Sequence, residues 1–405
     1  MESQHYKIEV PKKAANAMGF ADPDRLMLTI THNRAVIESQ DLFDRTPSIE
    51  WWWYLIPALL MTVVFMVYCH LNHLAVIPLN GNNSIATVTM ILSCISGLIG
   101  FAVVFTHDKI KATGPAKDFS WRSLPTLVVA LGAILAFSFS AVFWLIGQMF
   151  KGARFDAITA GLMIFTIVAV MNYMQIYLAK ILSSQVITTM MLVMIIGGMI
   201  FSMVTNSNSN WWHYNFSFLG TTRNSGNLQF NITLIFSGLI MMTLIDYLFV
   251  ALKEQMPGIG TQIVRWLLYG EAACVAGIGL FPNNQRFHHF HDSISMWLVY
   301  FMLILIVGLR WFMPQLPKRF LHVSYVMGSL MGFDYIIFET TRYLSLTAFE
   351  LLEFFLAFSW LLLFFEYLQT IAAMGRQIFY VKLKPADQAE LKSGIDLHGH
   401  DELKK

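Results

Sequence analysis

The chain has 405 residues, of which 56% are hydrophobic and 13% charged, with a formal net charge of +2 and a mean hydropathy of +0.56. A soluble domain carries roughly 25% charged residues, so the composition excludes an ordinary soluble fold. A net charge this near zero gives no electrostatic reason to expect nucleic acid or an acidic partner.

Three cysteines, Cys69, Cys94 and Cys274, each stand alone inside an apolar run, which fits neither a disulfide framework nor a Cys/His metal spacing. Residues 1–50 are mixed and polar. They lack the short apolar core near the start that a cleavable signal needs, and they read as a cytoplasmic N-terminal region. "WWWY" at Trp51–Tyr54 opens the first apolar run, and such amphipathic rings settle at headgroup level. Residues 51–185 read as a four-helix membrane module with spans near 52–74, 84–106, 124–149 and 157–180. Each run is long enough to cross a hydrocarbon core of about 30 Å at about 1.5 Å per residue. His70 and His73 end the first span one turn apart. The connection 107–122 is basic, and Trp211 and Trp212 follow the fifth span as a second aromatic anchor.

Residues 186–375 read as a six-helix membrane domain, with spans near 186–204, 231–252, 261–281, 291–311, 320–340 and 347–372. Residues 376–405 read as a cytoplasmic polar tail, disordered from about 385 by its charge. Its "HDEL" is followed by Lys404 and Lys405, so it is no terminal retention signal. The fold class is therefore all-α, a polytopic transmembrane helix bundle of about ten spans, because a lipid-facing backbone must satisfy its own hydrogen bonds. Basic residues are retained on the cytoplasmic side. With both termini cytoplasmic, the outer connections hold only Lys151, Arg154, Arg223, Arg286 and Arg342 of the 27 basic residues. The expected location is the cell membrane.

Two strings stand out in the six-helix half. "FSFLGTTRNSGNLQFNITLIFSG" contains Ser217, Leu219, Gly220, Phe230, Asn231 and Gly238, and "GIGLFPNNQRFHHFHD" contains Gly279, Phe281, Pro282 and His291. Over about residues 186–375 the chain resembles the domain of unknown function 998 family of bacterial multi-pass membrane proteins. In that family a "S-x-LG" outer loop precedes a helix opening with Phe-Asn, and a "G-x-FP" helix end precedes a histidine. More distantly it resembles the Frag1/DRAM/Sfk1 group. The resemblance implies a six-helix architecture and an outer candidate site, and no particular reaction. The first four helices fall outside it.

His288, His291, Asp292 and Ser295 are spaced i, i+3, i+4 and i+7, which puts them on one side of a helix beginning near Arg286. The stripe is short, so it belongs to the mouth of a bundle and not to a channel. Two histidines and a carboxylate one turn apart have the donors for Zn²⁺ if another ligand joins them. They equally suit a proton relay, or a solvated helix start. His213, Ser217, Glu339 and Arg342 share the outer level, and convergence of all eight on one outward-facing pocket is the expectation. Glu339 and Arg342, three apart, are expected to pair.

Deeper, Glu271 and Asp334 are candidate proton-coupling groups, since an uncompensated charge at mid-bilayer costs at least about 2.5 kcal/mol. Glu271 is expected to face the bundle interior as a protonated, hydrogen-bonded or water-linked group. Asp246 and Glu366, nearer the basic ends of their spans, are expected to snorkel.

Three functional classes fit these residues. One is transport-like handling of a lipid or small molecule. Another is a membrane-embedded, metal- or His-dependent lipid hydrolase or transferase. The third is a sensor or subunit of a membrane complex, with another membrane protein as partner. Membrane lipids are expected partners throughout, and no cofactor is expected unless the histidine stripe holds Zn²⁺. There is no nucleotide-binding P-loop and no GxSxG nucleophile turn. Nor is there an evident inverted repeat of the kind many transporters carry.

Overall fold

A computed structural model describes residues 26–31, 34–39, 48–111, 114–206, 210–374 and 376–381. The described chain opens with strands β1 (Leu26–Thr31) and β2 (Arg34–Ser39). Ten membrane-length helices follow. They are α1 (Trp52–Leu71), α2 (Ile85–Ile110), α3 (Ser123–Met149), α4 (Ala157–Ile181), α5 (Ser184–Thr205) and α6 (Asn227–Gln255). Next come α7 (Ile259–Leu280), α8 (His288–Phe312), α9 (Lys318–Thr341) and α10 (Leu346–Met374). All ten are long and apolar enough to span a membrane, so the chain is a multi-pass membrane protein. Short strands β3 (Val76–Pro78) and β4 (Arg154–Asp156) pair antiparallel between helices of the first module. The last strand, β5 (Arg376–Val381), pairs antiparallel with β1, which also pairs with β2, giving the order β2-β1-β5.

The chain divides into two compact units, one holding this three-stranded sheet and the other holding residues Ile49–Ala372. The sheet was not anticipated, because strands of six residues in polar flanks carry little signal beside twenty-residue apolar runs. The tail expected to be disordered lies outside the described residues.

Several helices begin where a side chain can satisfy the free N–H groups of the first turn. Ser84 accepts from Thr87 N–H at the start of α2, and Ser183 accepts from Val186 N–H at the start of α5. Asp156 accepts from Ile158 and Thr159 N–H at the start of α4. Two helices are interrupted by π-type turns, at Val193–Gly197 within α5 and at Ile337–Thr341 closing α9. Arg342, in the left-handed conformation, then ends the run.

Glycine lets α6 and α7 pack backbone to backbone. A β-carbon on Gly238 would lie 2.5 Å from the Ala272 carbonyl, and one on Gly279 would lie 2.6 Å from that of Asn231. Both glycines belong to the two strings singled out above, so their identity follows from backbone contact. In the first module α2 and α4 pack around a buried polar step, where Asn172 meets the Ser96 hydroxyl at 2.7 Å and donates to the Tyr54 carbonyl at 3.3 Å.

One apolar core runs through both modules. It joins Phe101, Phe105 and Leu127 to Leu244, Phe249, Leu268 and Phe364, all buried. Phe119 stacks on Tyr247 with ring centroids 4.4 Å apart. Trp360, fully buried on α10, donates its indole N–H to the Ser324 hydroxyl of α9 at 3.0 Å, which satisfies the one polar atom of that ring.

Candidate functional site

The segment between α5 and α6 is laid across one end of the six-helix half and stitched to its helices. Trp211–His213 and Phe216–Gly220 form two short 3-10 turns. Thr347, on the first turn of α10, donates to the Trp212 carbonyl at 2.8 Å. The Glu350 carboxylate, one turn further, accepts a short bond from Phe216 N–H. Asn231 on α6 donates to the Gly220 carbonyl at 3.0 Å. Asn284, just beyond α7, accepts from Thr222 N–H at 2.9 Å and faces the Thr222 hydroxyl at 3.2 Å. Inside the segment Asn224 donates to the Leu219 carbonyl at 2.8 Å. Beneath it Phe216, Leu219, Phe230, Leu234 and Met199 form a small apolar core of their own. This segment, called the lid below, finds partners for its backbone groups on α6, on α10 and in the connection between α7 and α8.

His291 lies at the centre of this arrangement. It is 3% exposed. Its Nδ1 lies 2.9 Å from the Phe281 carbonyl, and its Nε2 lies 3.2 Å from the Ser217 hydroxyl. A carbonyl can only accept, so Nδ1 carries the proton and Nε2 is left as the acceptor for the Ser217 O–H. The two recognised strings therefore meet here.

The remaining residues of the expected pocket separate from this pair. His288 and Asp292 are exposed and face each other at 3.4 Å, and the His288 Nδ1 also meets Asn283 Oδ1 at 2.6 Å. The stripe splits because the i, i+3, i+4, i+7 set covers about 100° of the helix. The bundle edge falls inside that arc. Ser295 turns back to donate to its own helix at the His291 carbonyl, 3.0 Å away. His213 is exposed and stacks on Trp212, with centroids 3.7 Å apart. Glu339 and Arg342 are both exposed, and the expected ion pair between them is not formed among the described residues. The π-turn and left-handed Arg342 break the helical spacing on which that expectation rested. The histidine helix begins at His288, two residues from Arg286, close to where the spacing placed it. Of the eight residues, Ser217 and His291 are brought together, with Ser295 behind them. Among the described residues, no three His, Cys, Asp or Glu side chains group so as to hold a metal ion, so the histidine stripe offers no three-ligand set.

Deeper in the bundle, Glu271 is 0% exposed, and neither carboxyl oxygen has a hydrogen-bond partner among the described residues. The expected interior placement is found. Its neighbours along the helix, Val275 and Ile278, pack toward the apolar core beneath the lid. Asp334 is half-buried on α9, and on α10 one carboxyl oxygen of Glu353 is buried without a hydrogen-bond partner among the described residues. Asp246 does not simply snorkel. Its carboxylate takes Arg265 at 2.9 Å and a short bond from the Tyr269 hydroxyl.

The sequence reading missed the anchoring roles of Asn231, Asn284, Thr347 and Glu350. Asn231 was visible as the second residue of the Phe-Asn helix opening, and Glu350 as an acid in the first turn of an apolar helix. Neither signal reveals that the partner is backbone elsewhere in the chain.

No curated protein and no solved structure matches this chain. A family model does match, and it supports the first of the two resemblances and not the more distant one to the Frag1/DRAM/Sfk1 group. Residues 186–365 match the family described as Protein of unknown function (DUF998), so the six-helix half of this multi-pass membrane protein is similar to that family.

Proposed function

We propose that this protein handles a lipid or small molecule in a transport-like manner at the cell membrane, with both termini cytoplasmic, the lid facing outward and Glu271 linked to protons. The observation that carries the reading is the complete burial of Glu271 with both carboxyl oxygens unpartnered among the described residues. A carboxylate without a counter-charge is the costliest group an apolar interior can hold. The interior accepts Glu271 only with a proton or another cation in attendance, and a cation that must accompany the group is one the protein can exchange. Supporting this reading, the lid is held by a handful of single hydrogen bonds, the kind of element that opens at modest cost.

The experiment is uptake by proteoliposomes under an imposed pH gradient. They are offered a lipid and metabolite extract, and mass spectrometry identifies what accumulates. Gradient-dependent accumulation in wild type that disappears in Glu271→Gln supports the proposal. Accumulation indifferent to the gradient, or retained in full by the Gln variant, defeats it.

A second reading rests on the Ser217–His291 geometry. A neutral imidazole with Nδ1–H fixed by a carbonyl and Nε2 directed at a hydroxyl is the arrangement that activates a serine nucleophile. In this reading Ser217 attacks a lipid ester at the membrane surface, His291 Nε2 takes its proton and passes it to the alcohol that leaves, and water then hydrolyses the acyl-serine. A fluorophosphonate probe should then label Ser217 in wild type and not in His291→Gln. Absence of labelling in wild type removes the reading.

A further inference from the structure

At the opposite, basic end of the bundle, a cleft of about 240 Å³ opens between the start of α3 and the last third of α6. Its chemistry is two-sided. On one wall are Ser120, Arg122 and Ser123, immediately before and at the first residue of α3. Arg122 is exposed and forms no ion pair among the described residues. Ser123 is 5% exposed, lines the cleft, and its hydroxyl has no hydrogen bond with any described residue. A long helix begins here, so its free N–H groups add partial positive charge to this wall. The facing wall carries Asp246, with the rings of Phe119 and Tyr247 beside it. Oδ1 of Asp246 takes both Arg265 and Tyr269, while Oδ2 has no hydrogen bond with any described residue. Arg122 and Asp246 thus line one cleft without pairing across it. Val250, exposed at its edge, adds an apolar lip.

A cation with a buried, unbonded hydroxyl on one side and a carboxylate with two aromatic rings on the other match a ligand that is itself two-sided. The anionic part is a phosphate, which accepts from arginine and hydroxyl groups. The cationic part is a primary ammonium, which donates to a carboxylate oxygen and lies against aromatic faces. We infer that this cleft binds the phosphoethanolamine headgroup of a phospholipid, with its phosphate on Arg122 and Ser123 and its ammonium on Asp246. The free headgroup, phosphoethanolamine, shares this chemistry. The apolar lip at Val250 favours the lipid, whose glycerol and chains need such a surface to leave by.

The test is native mass spectrometry of the full chain in detergent. It uses a short-chain phosphatidylethanolamine, the matching phosphatidylglycerol and free phosphoethanolamine. Wild type should retain the ethanolamine lipid about tenfold better than the glycerol lipid, the scale of one charge-assisted contact. Arg122→Gln should lower retention of both lipids by a similar factor, and Arg122→Lys should restore much of it. Asp246→Asn should erase the preference between headgroups, chiefly by lowering retention of the ethanolamine lipid. Because Asp246 also holds Arg265 and Tyr269, Ser123→Val is the independent variant; it should weaken both lipids with no change in thermal unfolding. Equal retention of the two lipids by wild type overturns the proposal, as does an Arg122→Gln variant that behaves as wild type. Displacement of the lipid by an equal concentration of free phosphoethanolamine overturns it as a lipid site.

Discussion

The Nε2 of His291 faces the hydroxyl of Ser217 at 3.2 Å across 74 residues of chain, and this contact fixes the lid to the start of α8. Its other nitrogen is committed to the Phe281 carbonyl at the end of α7. One buried imidazole thereby ties three segments, and replacing it strands two polar groups. His291→Ala is expected to destabilise the six-helix half by about 1–3 kcal/mol, the cost of leaving buried polar groups unpaired. His288→Ala, at an exposed position one turn away, should change stability by less than about 0.5 kcal/mol. Thermal unfolding in a single detergent measures both, and equal effects of the two would deny His291 its bridging role.

The lid's attachment to α10 makes a separate prediction. Glu350 accepts from Phe216 N–H, and Thr347 donates to the Trp212 carbonyl. Removing the carboxylate with Glu350→Ala leaves that N–H without its partner, so hydrogen exchange across 211–220 should accelerate by about tenfold or more. Thr347→Val should act in the same direction and more weakly. Glu339→Ala serves as the control, because that exposed side chain touches none of the lid's anchors. If exchange in the lid is unchanged in Glu350→Ala, the lid is held by its apolar underside alone.

How much of this was legible beforehand differs by level. Ten spans could be read because each is a long apolar run, and that signal survives any detail of packing. The separation of His291 from His288 could not. Spacing places both on one side of a helix, and only the neighbouring helices decide where the boundary of burial falls. The lid's anchors were illegible for a different reason. Asn231, Asn284 and Glu350 bond to backbone groups, and a backbone group looks the same in every residue. Glu271 was legible as an interior group because acids are rare within apolar runs. That no described residue bonds to it was not.

A pH dependence follows at the start of α4. The Thr159 hydroxyl and the N–H groups of Thr159 and Ile158 hold the Asp156 carboxylate below its ordinary value of 3.8. A carboxyl group lowered on folding contributes stability that is complete above its unfolded pKa and is lost as pH falls through the lower, folded value. Asp156→Asn keeps a side-chain acceptor but cannot titrate. The melting temperature of wild type should therefore exceed that of the Asn variant at neutral pH, with the gap closing as pH falls below about 4. A gap that stays constant or widens in acid reverses the sign and rejects the mechanism.

Orientation can be tested with single cysteines in a background lacking Cys69, Cys94 and Cys274. Arg223→Cys stands exposed on the lid, and Gln315→Cys stands exposed in the turn between α8 and α9, at the opposite end. The basic asymmetry places the lid outside. A membrane-impermeant maleimide added to intact cells should label position 223 and spare 315 until the cells are opened. Labelling of 315 alone inverts the topology.

The last prediction sets stability against function at Glu271. Both carboxyl oxygens are buried without a hydrogen-bond partner among the described residues, so the group lowers the stability of the bundle. Methionine has a similar length, no polar atom to strand, and adapts to irregular space. Glu271→Met should therefore raise the unfolding free energy by about 1–3 kcal/mol, the penalty released when an unsatisfied buried polar group is removed. The same variant should lose gradient-dependent uptake. Gained stability with lost uptake is the signature of a residue kept for what it does and not for how it packs. If Glu271→Met is instead strongly destabilised, the carboxyl has structural partners, and its link to protons loses its physical basis.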